Sequence, residues 1–102
     1  MKEATVEEHL VGSFKRQFPD AQIHKYEIRR GEPDRICLLP NAVCLFVETK
    51  RPGKDLRAAQ KRAFIRLRTL GFECFMCDTK DKIDKLLYYI QVKYYAPDTN
   101  TF

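Results

Sequence analysis

The stretch Gly31-Glu-Pro-Asp-Arg-Ile-Cys-Leu-Leu-Pro-Asn-Ala-Val-Cys-Leu-Phe-Val-Glu-Thr-Lys-Arg-Pro-Gly53 decides how this chain is read. It follows the turn-prone Arg29 and Arg30, and Asp34 then opens a strand through about Leu39. Pro40, Asn41 and Ala42 make a turn. Val43 to Lys50 is a β-rich run whose alternation puts Cys44, Phe46, Glu48 and Lys50 on one face. The two runs form a hairpin, so Asp34, at the mouth of one strand, arrives beside Glu48 and Lys50 at the end of the next. A Pro-Asp dipeptide or a Glu-x-Lys triplet taken singly is a chance event or an ordinary solvated turn. Jointly, at this gap and followed by a basic helix, they favour a site.

Working outward, Thr5-Val-Glu-Glu8 has the form of a capping box, with Val6, Leu10, Phe14 and Phe18 at helical spacing behind it. This predicts a helix from about Val6 to Gln17, ended before Pro19. Ile23 to Ile28 alternates as a first strand. On the other side Pro52-Gly53 breaks the chain, and Asp55 to Leu70 carries Leu56, Ala59, Ala63, Phe64, Leu67 and Leu70 on one stripe, closed by Gly71. Phe72 to Cys77 is a further strand. Asp78 or Thr79 caps a last helix with Ile83, Leu86, Leu87 and Ile90 inward. The order α-β-β-β-α-β-α predicts an α/β domain, a mixed sheet flanked by helices, because a strand-helix-strand passage makes a parallel crossover. One domain spans residues 1–95, and residues 96–102 read as a flexible tail.

With 102 residues and 44% apolar content the chain holds one core and no second domain. The formal charge of +5 is mild, but it is concentrated: Lys50, Arg51, Lys54, Arg57, Lys61, Arg62, Arg66 and Arg68 are opposed only by Asp55 between residues 50 and 68. No apolar run reaches the roughly 20 residues of a membrane span, and the N-terminus lacks the order of a signal peptide. The expected location is the cytoplasm of a bacterial or phage-infected cell. Cys74 and Cys77 have a zinc-knuckle gap, yet both fall in a strand, where residues three apart face opposite ways. Cys37, Cys44, Cys74 and Cys77 therefore read as small core residues.

Hard oxygen ligands gathered at a strand end suit Mg²⁺ or Mn²⁺, and a divalent ion assists each part of phosphodiester hydrolysis. The spacing assigns Asp34 and Glu48 as metal ligands, the Thr49 carbonyl as a third, and Lys50 as the group that orients water and stabilises the transition state. The capping box claims Glu8. Glu7 shares a helical face with Leu10, Val11 and Phe14, and an acid there needs a partner, for which a metal serves. Gln60 lies with Phe64 and Leu67 on the inner side of its helix; it either reaches the site or is a boundary residue. Arg51, Lys54, Arg57 and Lys61, with Arg35, are the candidate DNA contacts, the alternative being a solvated basic face. His9 and His24 have no ligand spacing and receive no role.

Thr5-Val-Glu-Glu-His-Leu10, Gly31-Glu-Pro-Asp-Arg35, Phe46-Val-Glu-Thr-Lys50 with Pro52-Gly53, and Gln60 ahead of Leu70-Gly71-Phe72 together resemble the VRR-NUC family, the virus-type replication-repair nucleases of the PD-(D/E)XK superfamily. The resemblance covers nearly the whole chain. It implies a restriction-endonuclease-like fold and a catalytic set of Glu7, Asp34, Glu48 and Lys50 supported by Gln60. Thr49 stands where many members carry valine, which leaves its carbonyl available. The resemblance further implies a stand-alone phage or bacterial type that acts as a homodimer on branched DNA such as four-way (Holliday) junctions, with no small-molecule cofactor. Tyr88, Tyr89, Tyr94 and Tyr95 would supply the dimer interface, or else pack the last helix. Competing readings are a flap or generic duplex nuclease and a non-catalytic basic nucleic-acid-binding module.

Overall fold

In the computed structural model residues 2–95 are described; the tail expected from residue 96 lies outside the described residues. The elements are α1 (Glu3–Gln17), β1 (Gln22–Lys25), β2 (Arg35–Leu39), β3 (Val43–Thr49), α2 (Ala58–Thr69), β4 (Glu73–Cys77) and α3 (Lys80–Tyr95). The order is the one read from the sequence. The sheet runs β1-β2-β3-β4, antiparallel across the first three strands and parallel between β3 and β4, where α2 makes the crossover.

Strand alternation divides the core in two. Leu45 and Val47 face α1 and α3, where Val6, Leu10, Phe14, Ile83, Leu87 and Ile90 close the larger cluster. Phe46 faces α2 and packs with Phe64, Leu67 and Cys74, joined by Cys44. Buried on both sides, β3 is one of the two inner strands and carries Glu48 and Thr49 into the interior. The same alternation places Cys74 in the α2 cluster and Cys77 in the other, so the knuckle-like pair spans the sheet.

Three boundaries differ from expectation for local reasons. The first helix starts at Glu3: Lys2 is its N-cap, in extended conformation, and the amides of Thr5 and Val6 donate to the Lys2 carbonyl at 3.1 and 3.2 Å. Thr5 is thus inside the first turn and the Thr5–Glu8 capping box is not made. An acid at the first helical position is favoured by the helix dipole, which suits Glu3 there. β1 ends at Lys25 because the Tyr26 amide donates to the Asp34 carbonyl at 2.8 Å and the chain leaves the ladder as a loop. α2 starts at Ala58, since Asp55 folds back to accept from the Leu56 amide at 2.7 Å. Its end is as read: Gly71, at φ +98°, donates to the Arg68 carbonyl while Phe72 donates to that of Leu67, a Schellman closure. Thr79 rather than Asp78 caps α3, its Oγ1 accepting from the Lys82 amide at 3.1 Å.

The tyrosines of α3 divide. Tyr95 stacks on Phe18 with centroids 4.8 Å apart, and its hydroxyl donates to Asp20. Tyr94 and Tyr89 both donate to the Glu73 carboxylate, and Tyr89 leans on Phe75. Tyr88 alone of the four points fully outward, 71% exposed. Packing of the last helix is therefore what Tyr94 and Tyr95 do.

Candidate active site

Because Arg35 pairs with Val47 and Thr49 pairs with Cys77, the start of β2 and the ends of β1, β3 and β4 lie at one end of the sheet. Asp34 and Glu48 meet there. The Asp34 amide donates to Glu48 Oε1 at 3.0 Å. Thr49 Oγ1 donates to Asp34 Oδ2 at 2.8 Å, so the residue expected to offer only its carbonyl also holds the neighbouring acid with its hydroxyl. Asp34 Oδ1 is buried with no partner. Lys50 continues the strand line through its amide, which donates to the Cys77 carbonyl at 3.0 Å, and its Nζ lies 3.6 Å from Glu48 Oε2.

Gln60 reaches the site. It is buried on α2, its Nε2 donates to Glu48 Oε2 at 3.1 Å, and its Oε1 accepts from the Arg57 amide at 2.8 Å. One side chain thus caps the helix and orients an acid. Glu7 is half-buried and paired with the Arg35 guanidinium, and its charge still acts on Asp34. The carboxylate that comes nearest is Glu3: single oxygens of Glu3, Asp34 and Glu48 all lie within 4.8 Å of one another. Glu3 is one helical turn before Glu7, on the same face. The signal is present in the sequence, but a capping box at Thr5 would leave Glu3 outside the helix, and it is not made.

The electrostatics follow from burial. Asp34 is pushed up to about 6, chiefly by desolvation and further by the charge of Glu7, against the Thr49 hydrogen bond. Glu48 is pushed up to about 7, again by desolvation first and then by Asp34, with Lys50 opposing. Four carboxylates against Lys50 and Arg35 leave a local excess of negative charge. An unpartnered buried oxygen, acids held away from their usual range and oxygen donors converging from three elements fit a hard divalent cation.

The basic residues fall into two groups. Arg51, Lys54 and Arg57 are exposed and, with Glu3, Lys50 and Asp55, line an open cleft next to the acids. Lys61 is exposed on α2, its Nζ 3.4 Å from Asp55. Arg35 is turned inward onto Glu7, its side chain 13% exposed, so it neutralises an acid of the cluster instead of facing solvent.

A mixed sheet with helices on both faces, carrying Asp34 and Glu48-Thr49-Lys50 at the neighbouring ends of adjacent strands, defines a nuclease fold of the PD-(D/E)XK kind. A protein of Acyrthosiphon pisum secondary endosymbiont phage 1, "Putative nuclease p44", is 36% identical over 81 residues, which is 79% of this chain and 87% of that protein. A solved structure described as a VRR_NUC domain superposes with a TM-score of 0.75 at 28% identity, over 87% of this chain and 97% of that one. No family model matches the sequence. The chain belongs to the VRR-NUC family of nuclease domains. Among the described residues no helix is long and apolar enough to cross a membrane.

Proposed function

We propose that this domain is a Mg²⁺- or Mn²⁺-dependent endodeoxyribonuclease that cuts branched DNA, four-way junctions first, as a homodimer in the cytoplasm of a bacterial or phage-infected cell. The observation that carries the metal-dependent hydrolysis is the Asp34–Glu48 pair: two coupled acids at a sheet end, one with an orphaned oxygen, beside an ammonium. Asp34, Glu48 and the Thr49 carbonyl are the ligands we assign, with Glu3 or Glu7 from α1 as the further acid. A divalent ion held there would neutralise the phosphoryl oxygens and favour ionisation of the attacking water.

The chain's own residues do the rest. Lys50, its side chain only 12% exposed, keeps its ammonium in a poorly solvated position, where it stabilises charge developing on the phosphate and orients the water. Gln60 fixes the rotamer of Glu48 and Thr49 that of Asp34, so both acids are in place before substrate arrives. Arg51, Lys54 and Arg57 grip phosphates flanking the scissile bond. Branch preference and dimerisation rest on the family resemblance. The exposed Tyr88 and Val92, four apart on α3, are the surface we assign to the second copy.

The test incubates labelled four-way junction, flap and linear duplex with the protein in Mg²⁺ or EDTA, beside Lys50→Ala. Paired, metal-dependent nicks confined to the junction and lost in the variant are expected. Cutting of flap or duplex alone would replace the branch assignment; binding without cleavage of any substrate would make this a non-catalytic module. Sedimentation of the free protein tests the dimer, which a monomer at micromolar concentration would overturn.

A further inference from the structure

We infer that Glu32 is a positioning residue for the metal-dependent reaction proposed above, on which this inference rests, and that it works by tying the Asp34 turn to α2 through Arg66. Glu32 precedes Asp34 by two residues and sits in a turn, yet its side chain is only 6% exposed. Its Oε1 accepts from Arg29 Nε at 3.1 Å and from the guanidinium of Arg66, which comes from the body of α2. Its Oε2 is buried without a partner. A surface acid with no task would stay solvated, since burying a carboxylate oxygen unpaired is costly.

The backbone makes the same contact. Gly31 has φ +90°, and a Cβ built there would lie 3.1 Å from Ala59 Cβ and 3.4 Å from the Ala59 backbone. The turn therefore rests directly on the first turn of α2, and only glycine gives both the conformation and the approach.

The helix that receives this turn also carries Gln60, which holds Glu48. One rigid element thus references both acids. Ala59 and Arg66 fix the turn that ends in Asp34, Gln60 fixes Glu48, and the 3.0 Å bond from the Asp34 amide to Glu48 Oε1 is where the two arms meet. An ion pair with an arginine about half exposed adds little to stability. Its consequence lies in the relative placement of two metal ligands, for which small displacements are expensive and outer-shell partners matter.

The experiment uses the whole chain with Arg66→Gln, Arg66→Lys, Glu32→Gln and the double variant Glu32→Gln/Arg66→Gln, and reads three quantities. These are the Mn²⁺ dissociation constant by electron paramagnetic resonance, kcat and KM on the DNA the wild type cuts, and hydrogen exchange at the Asp34 amide. Arg66→Gln and Glu32→Gln should each weaken Mn²⁺ binding roughly tenfold and lower kcat about as much, within the range for outer-shell partners of a metal site. KM should move by less than about twofold, Arg66→Lys should recover part of the loss, and the double variant should be no worse than the weaker single one. Asp34 amide exchange should quicken in the same order.

Wild-type Mn²⁺ affinity and kcat in both single variants would overturn the inference, even if thermal stability falls. A raised KM with Mn²⁺ affinity intact would make Arg66 a DNA contact instead. Mn²⁺ binding that is indifferent to Asp34→Asn would sink the metal reading itself, and the Asp34 amide would then still decide whether the tie exists.

Discussion

Replacing Asp34 by asparagine should make the metal-free protein more stable at pH 8, and the gain should fade as the pH falls toward 4. An unfolded aspartate titrates near 3.8, and in the fold burial and the Glu7 charge push Asp34 up to about 6. A raised carboxylate means that the folded state binds the proton more tightly than the unfolded state. Folding is therefore unpenalised below the unfolded value, increasingly penalised as the pH rises between the two values, and fully penalised above the folded one. At about 1.4 kcal/mol per tenfold change the full penalty is on the order of 3 kcal/mol, and solvent reaching a half-buried side chain reduces it to about 2 kcal/mol. Asparagine keeps an oxygen to accept from Thr49 and removes the charge that acts on Glu48, so the relief should exceed the loss. For a domain of this size that is a rise in Tm of roughly 10 °C at pH 8. Differential scanning calorimetry in EDTA at pH 8, 6 and 4.5 measures it, comparing the two proteins at each pH so that carboxylates remote from Asp34 cancel; Glu48, which the Asp34 charge also raises, is relieved in the same direction. Added Mn²⁺ should then raise Tm of the wild type at pH 8 and leave Asp34→Asn unmoved, because a ligand stabilises only the state that binds it. A wild type already more stable than the variant at pH 8, or a difference that does not change with pH, would refute the electrostatic argument.

Thr49→Val should leave the fold intact, with Asp34 rising further as its hydroxyl donor is lost; the acid limb of the kcat–pH profile should move up, and kcat at neutral pH should fall about tenfold. Glu3→Gln and Glu7→Gln separate the two acids of α1: if the 4.8 Å grouping identifies the ligand, isothermal titration should show Mn²⁺ affinity falling with Glu3→Gln, while Glu7→Gln chiefly frees Arg35. Equal losses would mean that α1 presents both. Lys54→Ala and Arg57→Ala should each weaken DNA binding on every substrate alike and reduce the salt dependence by about one phosphate, read from binding isotherms at 50–200 mM salt.

The parts of this molecule legible in its sequence are those in which neighbours along the chain decide the outcome. Alternation in Val43–Thr49 put Glu48 and Phe46 on one face, the three-residue gap sent Cys74 and Cys77 to opposite clusters, and Gly71 closed α2 where expected. The family resemblance named Gln60, and its contact with Glu48 is there. What the pattern could not give is long-range pairing of charged groups. Nothing local tells Glu7 to take Arg35, 28 residues on, or Glu32 to take Arg66, 34 residues on. Glu3 was hidden for a different reason: two sets of N-terminal bonds competed, and the Lys2 carbonyl prevailed over the Thr5 hydroxyl.

Gln60 uses the two ends of one amide for two unrelated tasks, one at the first peptide of α2 and the other at a buried carboxylate at the end of the sheet. The Arg57 N–H is consequently a natural reporter of the acid two bonds away from it. Any event that pulls Glu48 off Gln60 loosens that single peptide hydrogen, so its nuclear magnetic resonance signal registers the state of the site with no label attached. The same linkage restricts drift at this position, since no side chain that cannot donate and accept in opposite directions serves both tasks.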